Sequence, residues 1–318
     1  MRDKTAFMTS RFQVCRPTLA TPLLVSLLGA ASFIAAAPQD DLRDITKDWK
    51  QKRPGSQSST KKAPAYSIRT RIPIKEDLPG SAGDSEIGVT IWRYRPSRPS
   101  DEVRDLIQPK AEGAKEEWTV ERVEAETALS ENQMIRLTIE SLRIGYLYII
   151  NRARYDDGTY GEPYLIFPTM RIKEGENAVR AGRPVQVPGP KDDQPYLQLR
   201  RSRSKNGAVE VSEELTLLVM PLPIEAFNPG ADRMKLSTQQ LELLKQRYAA
   251  PVERSEMQGG AGMGITKKED AAVKDPVHFL AADDPYPQTI YRVAAGPGNP
   301  MLLVLELKVQ AASPRTGQ

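Results

Sequence analysis

The chain has one cysteine and one histidine in 318 residues. These two scarcities exclude several chemistries. Cys15 precedes the first apolar run, so a chain processed after that run holds no disulfide and no thiol nucleophile. Zinc held by clustered histidine and cysteine needs more ligands than the sequence offers. A hydroxyl nucleophile that relies on a histidine base has only His278, which sits in "DPVHFLAA" beside apolar residues and reads as a packed side chain. Paired carboxylates remain a route to hydrolysis in the envelope, but with 41 Asp and Glu no pair stands out. The expectation is therefore no catalytic residue, no cofactor and no enzyme.

Long apolar runs are scarce too. The one near the start, "PLLVSLLGAASFIAAA" (Pro22–Ala37), is shorter than the ~20 residues of a membrane-spanning helix. It follows Arg2, Lys4, Arg11 and Arg16, ends in small residues and gives way to "PQDD". That order predicts a secretory signal peptide over residues 1–36, starting at Met1 or Met8. The protein is then exported, periplasmic or extracellular, with membrane attachment only through an uncleaved leader. The leader also carries most of the positive charge. Its four bases and Asp3 account for three of the formal +4, so the processed chain is near neutral and a nucleic-acid partner is not expected.

What is present is strand pattern. Residues 37–64 ("DWKQKRPGSQSSTKKAP" within them) offer little to bury and are expected to form a flexible polar linker. From Tyr66, "YSIRTRIPI" alternates Ile68, Thr70, Ile72 and Ile74 against Arg69 and Arg71, with Pro73 marking an edge. "GVTIWRYRP", "EWTVERVEA" and "IRLTIESL" follow, the last with Ile135, Leu137 and Ile139 opposite Arg136, Thr138 and Glu140. "IGYLYIIN" is apolar on both sides, as a covered central strand must be. "PVQVP", "PYLQLRRS" and "LTLLVM" complete this part, and Asn206-Gly207 predicts a hairpin turn.

The pattern changes once, at "STQQLELLKQRY", where Ser237 and Gln240 form a capping box ahead of Leu241 and Leu244. A glycine-rich stretch, "MQGGAGMGITKKED", reads as mobile. The strands of "TIYRVAA" and "MLLVLELKV" flank "GPGNP". Many short strands without strand–helix alternation predict a mainly β protein: an antiparallel β-sandwich, immunoglobulin-like or related. The expected divisions are the core at 65–231, a helical and glycine-rich insertion at 232–282, a final hairpin at 283–310 and a tail at 311–318.

Within this pattern, Gly145, Tyr146 and Tyr148 precede Phe167-Pro168. Asn177, Val179, Ala181, Gly182 and Pro188 then come before "LTLLVMPLPI". This arrangement resembles the bacterial domain-of-unknown-function family 4384, over roughly residues 85–225. The resemblance implies an extracytoplasmic or accessory β module and carries over no catalytic residue. The part from about Ala231 lies outside it.

Four features compete for a functional reading. Asp156-Asp157-Gly158 reads first as a tight turn, Asp bonding to its own backbone and Gly taking positive φ. With Glu162 the two aspartates could also supply hard ligands to calcium, which is the alternative function: a calcium or small-ligand sensor. The run Gly259–Gly264 is not a phosphate loop, because Ile265-Thr266 stands where Lys-Ser/Thr is required. Arg200, Arg201, Arg203 and Lys205 mark a solvated hairpin end or a contact for an acidic partner, and Trp92, Tyr94, Tyr146 and Tyr148 mark core packing or a binding groove. The leading expectation is a module that binds an envelope protein or cell-wall polymer, with Leu241, Leu244, Tyr248 and the arginines Arg200, Arg201 and Arg203 as contact candidates.

Overall fold

The computed structural model describes residues 39–54, 85–107 and 116–312. The leader, the strand expected over Tyr66–Ile74 and the end of the tail lie outside the described residues. The chain is mainly β and forms two sheets around one apolar core.

The first sheet has eight strands: β1 (Ser85–Pro96), β2 (Asp105–Ile107), β3 (Glu116–Val123), β5 (Met134–Ser141), β9 (Val185–Val187), β10 (Leu197–Gln198), β13 (Val252–Glu256) and β14 (Thr289–Val293). The second has seven: β4 (Leu129–Ser130), β6 (Gly145–Tyr155), β7 (Tyr164–Phe167), β8 (Ala178–Val179), β11 (Glu210–Met220), β12 (Met234–Lys235) and β15 (Met301–Gln310). All pairings are antiparallel except the two-residue match of β4 with β15. Among the described residues, three α-helices accompany them: α1 (Gln39–Lys52), α2 (Thr238–Tyr248) and α3 (Lys267–Lys274).

β1 organises the first sheet. One side pairs with β5 along most of its length. The other side pairs with β14 over Ser85–Val89 and with β3 over Ile91–Pro96. Ile87, Val89 and Ile91 point into the sandwich, where they meet Leu147, Ile149, Leu215, Leu217, Leu303 and Leu305 of the second sheet. Trp92 and Tyr94 point outward and are buried as well.

Both outer faces are covered, which explains why the long strands are apolar or buried on two sides. On the second sheet, α2 seats Leu241 against Tyr148, Ile150, Leu218 and Leu302. Its capping box forms as expected, with Ser237 and Gln240 exchanging side-chain and backbone hydrogen bonds. On the first sheet, α1 lays Ile45 and Trp49 over Ile290.

The expectation of a flexible linker is thereby corrected over residues 39–54. Two apolar side chains four residues apart suffice to dock this helix, because Trp49 finds a complementary surface and is fully buried. Gly88 makes the room: a Cβ there would lie 2.7 Å from the Trp49 ring and 2.2 Å from Pro287.

Three further expectations change. Residues 232–282 are not an insertion, since β13 pairs with β14 inside the first sheet and α3 starts with its own capping box, Thr266 and Glu269. The glycine run is not mobile but fixed by its backbone to β3: Gly262 N–H donates to Arg122 O at 2.8 Å and Arg122 N–H to Met263 O at 2.9 Å. β14 and β15 do not form a hairpin; they belong to opposite sheets. Arg143 holds the crossing between them, donating to Gly296 O at 3.0 Å and Ala295 O at 2.6 Å.

Candidate functional site

The turn at Asp156-Asp157-Gly158 closes the β6–β7 hairpin. Tyr155 N–H donates to Thr159 O at 2.9 Å, Gly158 N–H to Tyr155 O at 3.0 Å, and Gly158 has φ +80°. The carboxylates diverge. Asp156 accepts from Val209 N–H at 3.0 Å, Asp157 from Thr159 N–H at 2.9 Å, and Glu162 pairs with Lys235 at 2.6 Å. The Thr159 hydroxyl, donating at 2.6 Å, and then its N–H hold Asp157 below the usual carboxylate range, and Lys235 does the same for Glu162. Among the described residues no group of three acidic, His or Cys side chains is placed to hold a metal ion.

Other candidates are consumed by the fold. Leu241 is buried and Leu244 and Tyr248 pack beside it on the second sheet, so the apolar face of α2 is not a free docking surface; this corrects their role as contact candidates. The exposed leucine of that helix is Leu243, at 55%. Trp92 donates to Thr138 Oγ1 at 2.8 Å and Tyr94 to Pro195 O at 2.9 Å, with Arg122 and Arg136 stacked over their rings; Tyr148 accepts from Ile224 N–H. These aromatics are core. Arg201 and Arg203 brace the Ser204–Ala208 turn by donating to Glu210 O and Gly207 O, and Arg200 is exposed. His278 is not packed: it is exposed and lies 2.9 Å from Asp275, while Leu280 takes the buried position.

Beneath α1 the outward polar side chains of β1 and β5 are sealed. The Arg53 guanidinium is buried and makes a two-pronged pair with Glu140, at 2.8 and 2.7 Å, while also donating to the carbonyls of Ala281, Asp284 and Pro285. The cavity beside it, about 20 Å³, has room for a single water. Arg122 pairs with Glu269 of α3 in the same layer. The guanidinium charges of Arg53 and Arg122 are answered within the chain, so this layer fastens the helices and leaves no ligand space.

At the inner end of β11, Glu213 accepts from Asn151 Nδ2. Burial, reinforced by the nearby charge of Glu210, pushes its carboxyl up to about 7.

The open feature lies along one side of the sandwich. β13 ends the first sheet and β15 ends the second, apart from the contact with β4 at Val309–Gln310. Between these edges runs a groove of about 510 Å³, walled by Val252, Arg254, Tyr291, Leu302 and Val304 and closed at one end by Lys245 and Ala249–Ala250. Val252 is 41% and Val304 43% exposed. Among the described residues, Met301–Lys308 have a strand partner only on the β11 side. Arg254 and Lys308 share the carboxylate of Glu126, and the charges of Glu256 and Glu306 lie close to Arg254 and Lys308 in turn.

Neither family models, nor curated proteins, nor solved structures gave a match to this chain.

The groove was not apparent from sequence because it joins residues about fifty positions apart on two different sheets. Its one local signal is the alternation of Val304, Glu306 and Lys308 against Leu303, Leu305 and Leu307. β13, "VERSE", carries too few apolar residues to register as a strand. No described helix is long and apolar enough to cross a membrane.

Proposed function

We propose that the chain is an exported, non-catalytic interaction module of the cell envelope that receives an extended segment of a partner protein along the side between β13 and β15. The observation that supports this reading is that, among the described residues, Met301–Lys308 of β15 have no strand partner on the side of an apolar groove. Such an edge offers a row of backbone donors and acceptors for an added strand, and the groove takes alternate side chains of that strand. The likeness to family 4384 belongs to the same proposal and is consistent with an accessory extracytoplasmic module.

The test is retention of envelope proteins by the immobilised chain from residue 37, compared with Val304→Arg and Val252→Arg. Both positions are exposed, so the variants are expected to fold and to lose the retained protein, while Leu243→Arg on the exposed side of α2 keeps it. A photo-crosslinker at position 304 should join the same protein. Equal retention by all three variants, or cross-linking at 243 instead of 304, refutes the groove as the docking site.

A further inference from the structure

Arg180 and Arg183 flank the turn from β8 into β9, and Lys173, on the turn before β8, lies close enough to Arg183 to feel its charge. Arg180 and Arg183 stand at the two ends of a tight turn, closed by Arg183 N–H donating to Arg180 O at 3.1 Å. The turn is clamped from behind. Leu280 N–H donates to Gly182 O at 2.7 Å, and a Cβ on Gly182 would lie 2.6 Å from Leu280 O and 2.8 Å from Pro54 Cδ. Lys173 is held on a second rigid turn. Its N–H donates to Asp192 Oδ1 at 2.9 Å, and it and Glu174 have φ of +51° and +54°, a conformation uncommon outside glycine and recurrent where a side chain must be aimed.

The Arg180 guanidinium lies 4.8 Å over the exposed ring of Phe279. No ion pair or hydrogen bond from the side chains of Lys173, Arg180 or Arg183 occurs among the described residues, although most other arginines are paired with carboxylates or carbonyls. Arg183 opposes the other two. Burial disfavours the charge of Lys173 and of Arg180, and the charge of Arg183 adds to this at both. Glu176 and Asp192 act the other way on Lys173, and Asp192 also accepts from the N–H groups of Lys173 and Gly189, so the two arginines are the less compensated part of the group.

We propose that Lys173, Arg180 and Arg183 form an anion site that takes a phosphate group, either free or carried on an envelope polymer. Two guanidinium forks and an ammonium match the oxygens of a tetrahedral dianion, and a group bound there relieves the mutual repulsion. Because both turns are held by backbone bonds, little ordering is required on binding. The site shares no residue with the β13–β15 groove, so each proposal stands or fails alone.

The experiment is thermal melting of the full chain in sodium chloride, in inorganic phosphate and in linear polyphosphate, at one pH and one ionic strength. Acylation of Lys173 by an amine reagent is read in parallel by mass spectrometry. Phosphate is expected to raise the melting temperature above that in chloride and to slow Lys173 acylation several-fold. The R180Q/R183Q variant should lose both effects, while melting in chloride no lower than the parent because the repulsion is gone. A response to both anions assigns a free phosphate; a response to polyphosphate alone assigns a polymer-borne one. No response to either, or an unchanged response in R180Q/R183Q, overturns the site. Should that variant fail to fold, K173Q decides the matter through the phosphate-dependent melting shift: its loss supports the site and its persistence overturns it.

Discussion

Glu213 shows how a single side chain ties stability to pH. Its carboxyl is raised from an ordinary 4.5 to about 7, chiefly by burial. The folded chain therefore holds this proton more tightly than the unfolded chain does. Between pH 4.5 and 7 the folded state binds more protons, so this residue's contribution is full below 4.5 and is lost as pH rises through 7. Glu213→Gln keeps the shape and the bond to Asn151 without the charge. At pH 8 the variant is expected to be more stable than the parent, by on the order of 3 kcal/mol at most. At pH 4 the two should coincide. Urea unfolding across this range checks it, and parallel curves for parent and variant would remove Glu213 as the cause. Arg53 and Glu140 show the opposite design at the same scale: a buried pair whose charges are fully answered, so that removing either partner leaves a charge stranded.

Elements behave here as parts of layers, and α1 is the plainest case. Trp49→Ala is expected to cost about 3–5 kcal/mol, the usual range for emptying a fully buried aromatic site. A chain beginning at residue 55 should melt lower than one beginning at residue 39, measured by calorimetry. Equal melting would mean that the helix is dispensable. The sequence made some elements readable and hid others for physical reasons. β5, β6, β11 and α2 carry their periods in their own side chains. The Asp156-Asp157-Gly158 turn and the Asn206-Gly207 turn carry their own chemistry. α1 was hidden because its two apolar residues gain their effect from Gly88 and Pro287, which lie far along the chain. The glycine run was hidden because backbone bonds to β3 fix it, and backbone bonds leave no side-chain pattern. The separation of β14 from β15 was hidden because two strands flanking a Gly-Pro-Gly-Asn-Pro turn look alike whether they pair or cross. For the candidate site, the carboxylates at 156, 157 and 162 were visible, and each bonds to a different neighbour: Val209, Thr159 and Lys235. The groove and the cation cluster arise from tertiary placement.

The described residues form a sandwich with helices on both outer faces and, among them, one open side. Its second sheet depends on β15, which supplies Leu303, Leu305, Leu307 and Val309 to the shared core and pairs with β11 from Val219 to Ser212. A chain ending at Pro300 should retain strand content in far-ultraviolet dichroism but lose its near-ultraviolet signal and its sharp melting transition. A cooperative transition in that shortened chain would show that the first sheet folds independently. The placement of β15 also governs timing. During synthesis every strand that it completes is made first, and β11 waits with an open edge and a half-covered row of leucine and valine until residues 301–310 have emerged. Until residues 301–310 join it, the second sheet is incomplete, and β11 presents beyond β6 a free edge of the kind that chaperones and other chains bind.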